Sequence, residues 1–169
     1  MHRVQGLNRE DQVTNQIAAP PGGKCYATAL RKASRRMSQF YDAALEPSGI
    51  KTTQRAILAT VEREGPLSVG RLAASLVMDP GGLAHTLKPL VRDGFLVVGP
   101  DPADKRGRLI HLTPAGADRL RASDEMFEVA QARFEEAFGQ EDAPTLRTAL
   151  KFITSDAFLQ ALESDPTAS

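Results

Sequence analysis

Two short apolar runs joined by a charged loop constrain the fold of this chain more than any other stretch. The runs occupy residues 95–99 (FLVVG) and 108–112 (RLIHL), and each has the length and composition of a β-strand. The loop between them, DPADKRG, contains Pro102 and Gly107 and is too long and too charged for a minimal turn. The sequence therefore predicts a β-hairpin whose tip projects into solvent.

Helical patterns surround this hairpin. Two short helices joined by a tight turn are expected before it, because Ser68 can cap the first, and Asp79 followed by Pro80 can cap the second. Apolar spacing predicts earlier helices over residues 24–46 and 53–64. After the hairpin we expect one long helix over 114–138 and a last helix over 143–162. Helix, turn, helix and hairpin together make a winged helix.

Charge is distributed unevenly, although the 21 basic and 21 acidic residues cancel over the whole chain. Residues 1–50 carry a net charge of +3 and residues 51–121 of +4, whereas residues 122–169 carry −7. A basic centre followed by an acidic end favours a polyanionic partner for the middle of the chain.

Composition also narrows the expected chemistry. A lone cysteine, Cys25, excludes an internal disulfide framework and suits a reducing cytoplasm. The apolar runs are too short for a membrane span and the N-terminus lacks the apolar core of a signal peptide, so a cytoplasmic location is expected. His2, His85 and His111 lack metal-ligand spacing, and no nucleophile–base–acid string occurs. We therefore expect no metal, no cofactor and no enzymatic activity.

In four stretches the sequence resembles the MarR family of bacterial transcription regulators. The resemblance is carried by IKTTQRAIL, by RLAASLVMD, by LVRDGFL, and by Asp104-Lys105-Arg106 followed by LIHLTPAG. It covers residues 25 to about 162 and implies a mainly α fold with a small β-hairpin wing. Such a fold is a winged helix-turn-helix plus a helical dimerisation region.

The resemblance implies a homodimer that binds double-stranded DNA at a pseudo-palindromic operator. Family members commonly repress a nearby operon and release DNA on binding a small effector, often an aromatic or apolar acid. Others respond to oxidation of a cysteine. The expected segments are a flexible arm (1–23), a single domain (24–163) that comprises a helical dimerisation region (24–50 and 114–163) and a winged lobe (51–113), and a tail (164–169).

Candidate DNA-binding residues lie in two places. The leucines of the second short helix face the core, so its outward and flanking positions are Gly81, Gly82, His85, Thr86 and Lys88. The family commonly has Arg, Ser or Thr where Gly81 and Gly82 stand. Either the two glycines let the backbone approach a phosphate, or the chain reads few bases directly. The alternative to DNA contact is that these residues form an ordinary solvent-exposed face of the helix.

In the hairpin tip the candidates are Asp104, Lys105, Arg106 and Arg108. The matching family motif implies that Arg106 enters the minor groove and that Asp104 orients it. A solvated charged turn is the competing interpretation.

Effector and redox sites are less defined by the sequence. Arg31, Arg35 and Tyr41 on the first helix are candidate anchors for a carboxylate, although a solvated cationic face explains the arginines equally well. Cys25 opens that helix, and a helix N-terminus can lower the pKa of a thiol, which makes it a candidate oxidant sensor. The alternative is a small apolar residue at a dimer interface.

Two other function classes compete with DNA-binding regulation. One is a winged-helix protein-interaction module without DNA binding, which does not need Lys105, Arg106 and Arg108 on one loop. The other is a cysteine-dependent redox enzyme, for which the neighbours of Cys25 offer only Lys24 and Tyr26. A salt-dependent gel shift separates these classes, because DNA binding weakens steeply with salt.

Overall fold

The structure is a computed structural model that describes residues 24–164; the predicted arm and residues 165–169 of the predicted tail lie outside the described residues. In chain order its elements are α1 (Tyr26–Leu45), a 3-10 helix (Glu46–Ser48), α2 (Thr52–Glu64), α3 (Val69–Ser75), α4 (Pro80–Arg92), β1 (Leu96–Pro100), β2 (Arg108–Leu112), α5 (Pro114–Ala122), α6 (Asp124–Phe138), α7 (Asp142–Ile153) and α8 (Asp156–Glu163). None of these helices is both long and apolar enough to cross a membrane.

The helix starts in the middle of the chain follow the predicted capping signals. Ser68, Asp79 and Thr113 each accept a side-chain hydrogen bond from the backbone N–H three residues later. Pro80 and Pro114 occupy the first helical positions, where a missing N–H is harmless. These predicted starts of α3, α4 and α5 are therefore confirmed.

The predicted hairpin is also present. Strands β1 and β2 pair antiparallel, with Leu96 opposite Leu112 and Val98 opposite Ile110. Leu67, just before α3, forms an isolated bridge with Ile110, which ties the hairpin to the helix-turn-helix. Gly116 brings α5 against the same sheet, because a Cβ atom there would overlap the carbonyl oxygen of Phe95.

A single apolar core lies under the helix-turn-helix and the hairpin. The inward leucines predicted for α4 are buried, and each fully buried leucine contributes about 1.5–3 kcal/mol by leaving water. The core consists mainly of Ile57, Leu58, Val61, Leu67, Leu72, Leu83, Leu87, Leu90, Leu96, Ile110 and Leu120. This packing joins α4 to strands β1 and β2.

The predicted long helix over 114–138 is wrong, because the structure divides it into α5 and α6 at Ser123. Ser123 is fully buried, and its hydroxyl donates to the carbonyl oxygen of Leu120 at 2.6 Å. Such local bonds give the backbone an alternative to the regular helix. The hydroxyl also accepts a bond from Arg55 on α2, so the break depends on a residue far away in sequence.

The predicted last helix over 143–162 is likewise two helices, α7 and α8. Thr154 closes the first through bonds from its hydroxyl to the carbonyls of Leu150 and Lys151. Ser155 takes an extended conformation and caps α8 by accepting the N–H of Phe158. Two adjacent hydroxyl residues therefore interrupt an otherwise helical apolar pattern.

Several apolar side chains at both ends of the described chain are exposed, because no other part of residues 24–164 packs over them. At the start of α1 and along α7 and α8, large side chains are between two-fifths and nearly nine-tenths exposed. They are Tyr26, Leu30, Leu150, Phe152, Leu159 and Leu162.

Candidate nucleic-acid interface

Helix α4 has a nearly bare outer surface. Pro80, Gly81, Gly82 and Ala84 are exposed in its first half and carry no polar side-chain group. His85 is exposed in the same part of the helix, and it presents the first hydrogen-bonding side chain there. The predicted outward placement of Gly81, Gly82 and His85 is confirmed.

Two further predicted contacts on α4 differ in availability. Lys88 is exposed one turn after the first half of the helix. Thr86 is only half-buried, and its hydroxyl donates to the carbonyl oxygen of Gly82 at 3.1 Å. This hydroxyl therefore donates its hydrogen bond within the helix rather than to a DNA base.

The N-terminus of α4 is occupied by its own capping residue. Oδ2 of Asp79 accepts the N–H of Gly82 at 3.0 Å. A carboxylate at this position neutralises the positive end of the helix dipole and repels a phosphate that approaches it. This cap therefore disfavours a phosphate at the glycines of the first turn.

The turn before α4 carries a strain that the sequence did not predict. Val77 has a φ of 51°, in the left-handed region, and is 69% exposed. Its N–H and that of Met78 bond back to the carbonyls of Ala74 and Ala73, which closes α3 with a Schellman motif. Glycine is the usual residue there, and β-branched side chains are strongly disfavoured.

Two aspartates order the wing tip between β1 and β2. Asp101 accepts the N–H of Ala103 at 2.8 Å, and Asp104 accepts the N–H of Arg106 at 2.9 Å. The loop closes with a bond from the N–H of Asp101 to the carbonyl of Gly107. Gly107 is required at this closure, because a Cβ atom there would lie 2.8 Å from Cβ of Asp101.

The wing tip presents its cations to solvent. Lys105, Arg106 and Arg108 are all exposed, and none of the ion pairs among residues 24–164 involves them. Asp104 contacts Arg106 through the backbone N–H, so it orients the turn that carries the guanidinium. The arrangement is an ordered cationic loop on the hairpin that packs against α4.

Comparisons with known proteins agree with this geometry. The model of the MarR family matches residues 48–107, from the end of the 3-10 helix through the wing tip. A solved structure of the Mycobacterium tuberculosis transcriptional regulator MosR in complex with DNA superposes with a TM-score of 0.71 at 29% identity. That match covers 83% of this chain and 97% of MosR. The chain is therefore similar to the MarR family of transcription regulators in its winged helix and in its fold.

Curated relatives match this chain over shorter stretches. The uncharacterized HTH-type transcriptional regulator YkoM of Bacillus subtilis is 31% identical over 53% of this chain and 56% of its own length. The multiple antibiotic resistance protein MarR of Salmonella typhimurium is 32% identical over 57% of this chain and 65% of its own length. The chain therefore matches about three-fifths of these relatives. The predicted winged helix-turn-helix fold is confirmed, and members of the family are transcription regulators rather than enzymes.

A joint between the winged helix and the later helices was not predicted. Arg55 on α2 donates from Nε to Ser123 and from a terminal nitrogen to Asp124, at 3.1 and 2.7 Å. Its guanidinium carbon also lies 3.9 Å from the ring centroid of Phe127. The Arg55 side chain is only 15% exposed. One arginine therefore fixes α2 against the break between α5 and α6.

Contacts continue from this joint along α6. The ring of Phe127 stacks on that of Tyr41, whose hydroxyl donates to Gln131 at 2.6 Å. Burial is the main cause that raises the pKa of Tyr41 above its ordinary value, and the charge of Glu135 adds to it. The neutral phenol therefore persists as a donor at physiological pH.

Two open grooves lie beside these helices, each of about 480 Å³. One lies along α6 and is lined by Phe127, Glu128, Gln131, Ala132, Glu135 and Arg147. The other lies on α1, where Arg35 lines it with Lys32, Ala33, Arg36 and Gln39. Arg31 is exposed but lines neither groove, and Tyr41 contacts α6, so the effector role of these α1 residues stays a prediction.

Cys25 lies at the N-cap of α1 and is exposed. A hydrogen bond from the side chain of Thr28 lowers the pKa of its thiol, and backbone N–H groups of the first turn act in the same direction. The predicted effect of the helix start on the thiol is therefore present. Cys25 is exposed in the single chain, so its alternative role as an apolar residue at a dimer interface stays a prediction.

Proposed function

We propose that this chain is a DNA-binding transcription regulator that acts as a homodimer. The observation that carries the proposal is the ordered wing tip, which holds three exposed cations on the hairpin that packs against α4. The similarity of the chain to MosR, a regulator solved in complex with DNA, supports DNA binding by this surface. Helix α4 then lies in the major groove and Arg106 enters the minor groove, where Arg suits a narrow A·T-rich segment.

Binding to duplex DNA at several salt concentrations tests this function. The logarithm of the binding constant is expected to fall linearly with the logarithm of the salt concentration, because phosphate contacts release counterions. Arg106→Ala is expected to weaken binding by about 1–3 kcal/mol, the scale of one good groove contact. Lys105→Ala or Arg108→Ala should cost less and reduce the salt slope by about one, as phosphate contacts do.

Arg133→Ala is the matched control, because Arg133 is an exposed cation on α6, outside the wing and outside the uncovered apolar side chains of α1, α7 and α8. It should leave both affinity and slope unchanged. A chain that binds no duplex, or binds without salt dependence, is instead a protein-interaction module.

The uncovered apolar side chains of α1, α7 and α8 support the homodimer. A two-fold dimer places its half-sites about one helical turn, roughly 34 Å, apart on DNA. Leu150 is 43% exposed in the single chain, so a charge there need not be buried unless a partner covers it. Leu150→Glu should therefore lower the sedimentation mass to that of a folded monomer. A wild-type protein that is already monomeric at micromolar concentration contradicts the dimer.

We further propose repression that a small aromatic or apolar acid relieves. The groove along α6 supports this effector class, since Phe127 offers an aromatic wall and Arg147 a cation. Arg147 is already paired with Glu135 at 2.6 Å, so an acid must displace that carboxylate. By linkage, an effector that releases DNA must bind the DNA complex more weakly. A panel of aromatic and fatty acids that leaves operator affinity unchanged refutes this part of the proposal.

Thiol-based release is a second candidate mechanism, favoured by the exposure and lowered pKa of Cys25. Hydroperoxide should then weaken DNA binding in the wild type and have no effect on Cys25→Ser. An equal loss of binding in both proteins removes Cys25 from the mechanism.

A further inference from the structure

We propose that this chain reads its operator mainly through the minor groove under the wing, and that α4 contributes little base discrimination in the major groove. This inference rests on the proposed DNA binding and deepens it by naming the class of operator. The preferred site is a duplex selected by A·T content and groove width more than by a pattern of major-groove donors and acceptors.

The first half of α4 lacks the side chains that read bases. Base edges are read by groups such as Arg, Lys, Asn, Gln, Ser and Thr, which form hydrogen bonds to them. The exposed residues there are Pro80, Gly81, Gly82 and Ala84, followed by His85 as the sole hydrogen-bonding side chain among these five. Direct readout by this part of the helix is therefore concentrated at His85.

The other polar groups of α4 are partly engaged within the protein. The Thr86 hydroxyl donates to the carbonyl of Gly82. Arg92, at the far end of the helix, binds both carboxylate oxygens of Asp93 at 2.7 and 3.1 Å. Lys88 is exposed, but a single ammonium suits phosphate as well as base edges.

The cap of this helix constrains only one of its two glycines. A Cβ atom on Gly81 would lie 3.0 Å from the capping oxygen of Asp79, so a side chain there crowds the cap. At Gly82 the nearest atom is 4.0 Å away, which leaves room for a residue that this sequence does not use. The same Asp79 carboxylate disfavours compensation by a phosphate at the helix N-terminus.

The wing has the opposite character. Three exposed cations follow one another within four positions, and the bond from the Arg106 N–H to Asp104 orders the turn that presents them. Ordering the loop in advance reduces the conformational entropy that insertion costs. In the minor groove such side chains distinguish A·T from G·C pairs by groove width and by the 2-amino group of guanine.

Inosine substitutions separate the two grooves in one operator selected from random duplexes with the full chain. Replacing A·T by inosine·C changes the major-groove pattern and keeps the minor groove free of the 2-amino group. Replacing inosine·C by G·C then changes only the minor groove. Each pair of the half-site is scanned in both ways, and dissociation constants are compared.

We expect the summed cost of the minor-groove exchanges to exceed that of the major-groove exchanges. The largest minor-groove exchange should weaken binding by about tenfold, within the range of one specific contact. A larger summed cost in the major groove overturns the inference while leaving DNA binding intact. Failure to bind any duplex refutes the proposed function, and this inference with it.

Variants assign each cost to its residue. Arg106→Ala should remove most of the minor-groove penalty, because the inserted side chain is gone. His85→Ala should remove the remaining major-groove penalty and leave the minor-groove penalty unchanged. A minor-groove penalty of the same size in Arg106→Ala overturns the role of the wing.

Discussion

Oδ1 of Asp104 accepts a hydrogen bond from the backbone N–H of Arg106 at 2.9 Å, which places an anion within the loop that is proposed to approach DNA. Long-range Coulomb repulsion and local loop order therefore act in opposite directions at Asp104. The bond holds the turn from which the Arg106 side chain projects. Its benefit to binding lies in the shape of the loop rather than in its charge.

Asp104→Ala is expected to weaken operator binding by about 0.5–1.5 kcal/mol, because it removes the acceptor that orders the turn. Asp104→Asn keeps an acceptor oxygen and removes the negative charge, so it should bind at least as tightly as the wild type. Fluorescence anisotropy at fixed salt measures both. If Asp104→Ala binds more tightly with its oligomeric state unchanged, charge alone decides and the positioning role is wrong.

Arg55→Ala should lower the free energy of unfolding by about 1–3 kcal/mol, because it removes the bond to Ser123 and the stacking on Phe127. Asp124→Asn is the matched control, since the Asp124 side chain is 52% exposed and its ion pair contributes less than about 1 kcal/mol. Urea unfolding measures both variants. Equal losses would show that the exposed ion pair, rather than the stacked guanidinium, holds the joint.

Val77→Asn should raise the free energy of unfolding by about 1 kcal/mol, because asparagine tolerates a positive φ better than a β-branched residue does. Val77→Gly should stabilise less, since glycine also increases the entropy of the unfolded chain. The side chain of Val77 is mostly exposed, so neither change removes much packing. A lower melting temperature in both variants would contradict strain at this turn.

Cys25 should react with iodoacetamide near neutral pH faster than an unperturbed cysteine, because its lowered pKa increases the thiolate fraction. Thr28→Val should raise the thiol pKa by removing the side-chain hydrogen bond, which moves the rise in alkylation rate to higher pH. Well above both pKa values the two proteins should react at similar rates. An unshifted pH profile in Thr28→Val would assign the lowered pKa to the helix start alone.

Elements that depend on neighbouring residues were predictable from the sequence of this chain. Ser68, Asp79 and Thr113 cap helices through bonds that span three residues, and the charged loop with Pro102 and Gly107 marks the hairpin. The outward placement of Gly81, Gly82 and His85 followed from the leucine spacing of α4. In each case the deciding interactions lie within one or two turns of the chain.

The tertiary structure decided the features that depend on distant partners. The break at Ser123 involves Arg55, 68 residues earlier, and no local pattern distinguishes that arginine from other surface cations. The stacking of Phe127 on Tyr41, and the bond from the Tyr41 hydroxyl to Gln131, likewise join residues that are far apart in the sequence. Local capping energies are encoded in adjacent residues, whereas a buried hydroxyl or a stacked guanidinium is stabilised only when folding brings its partner into contact.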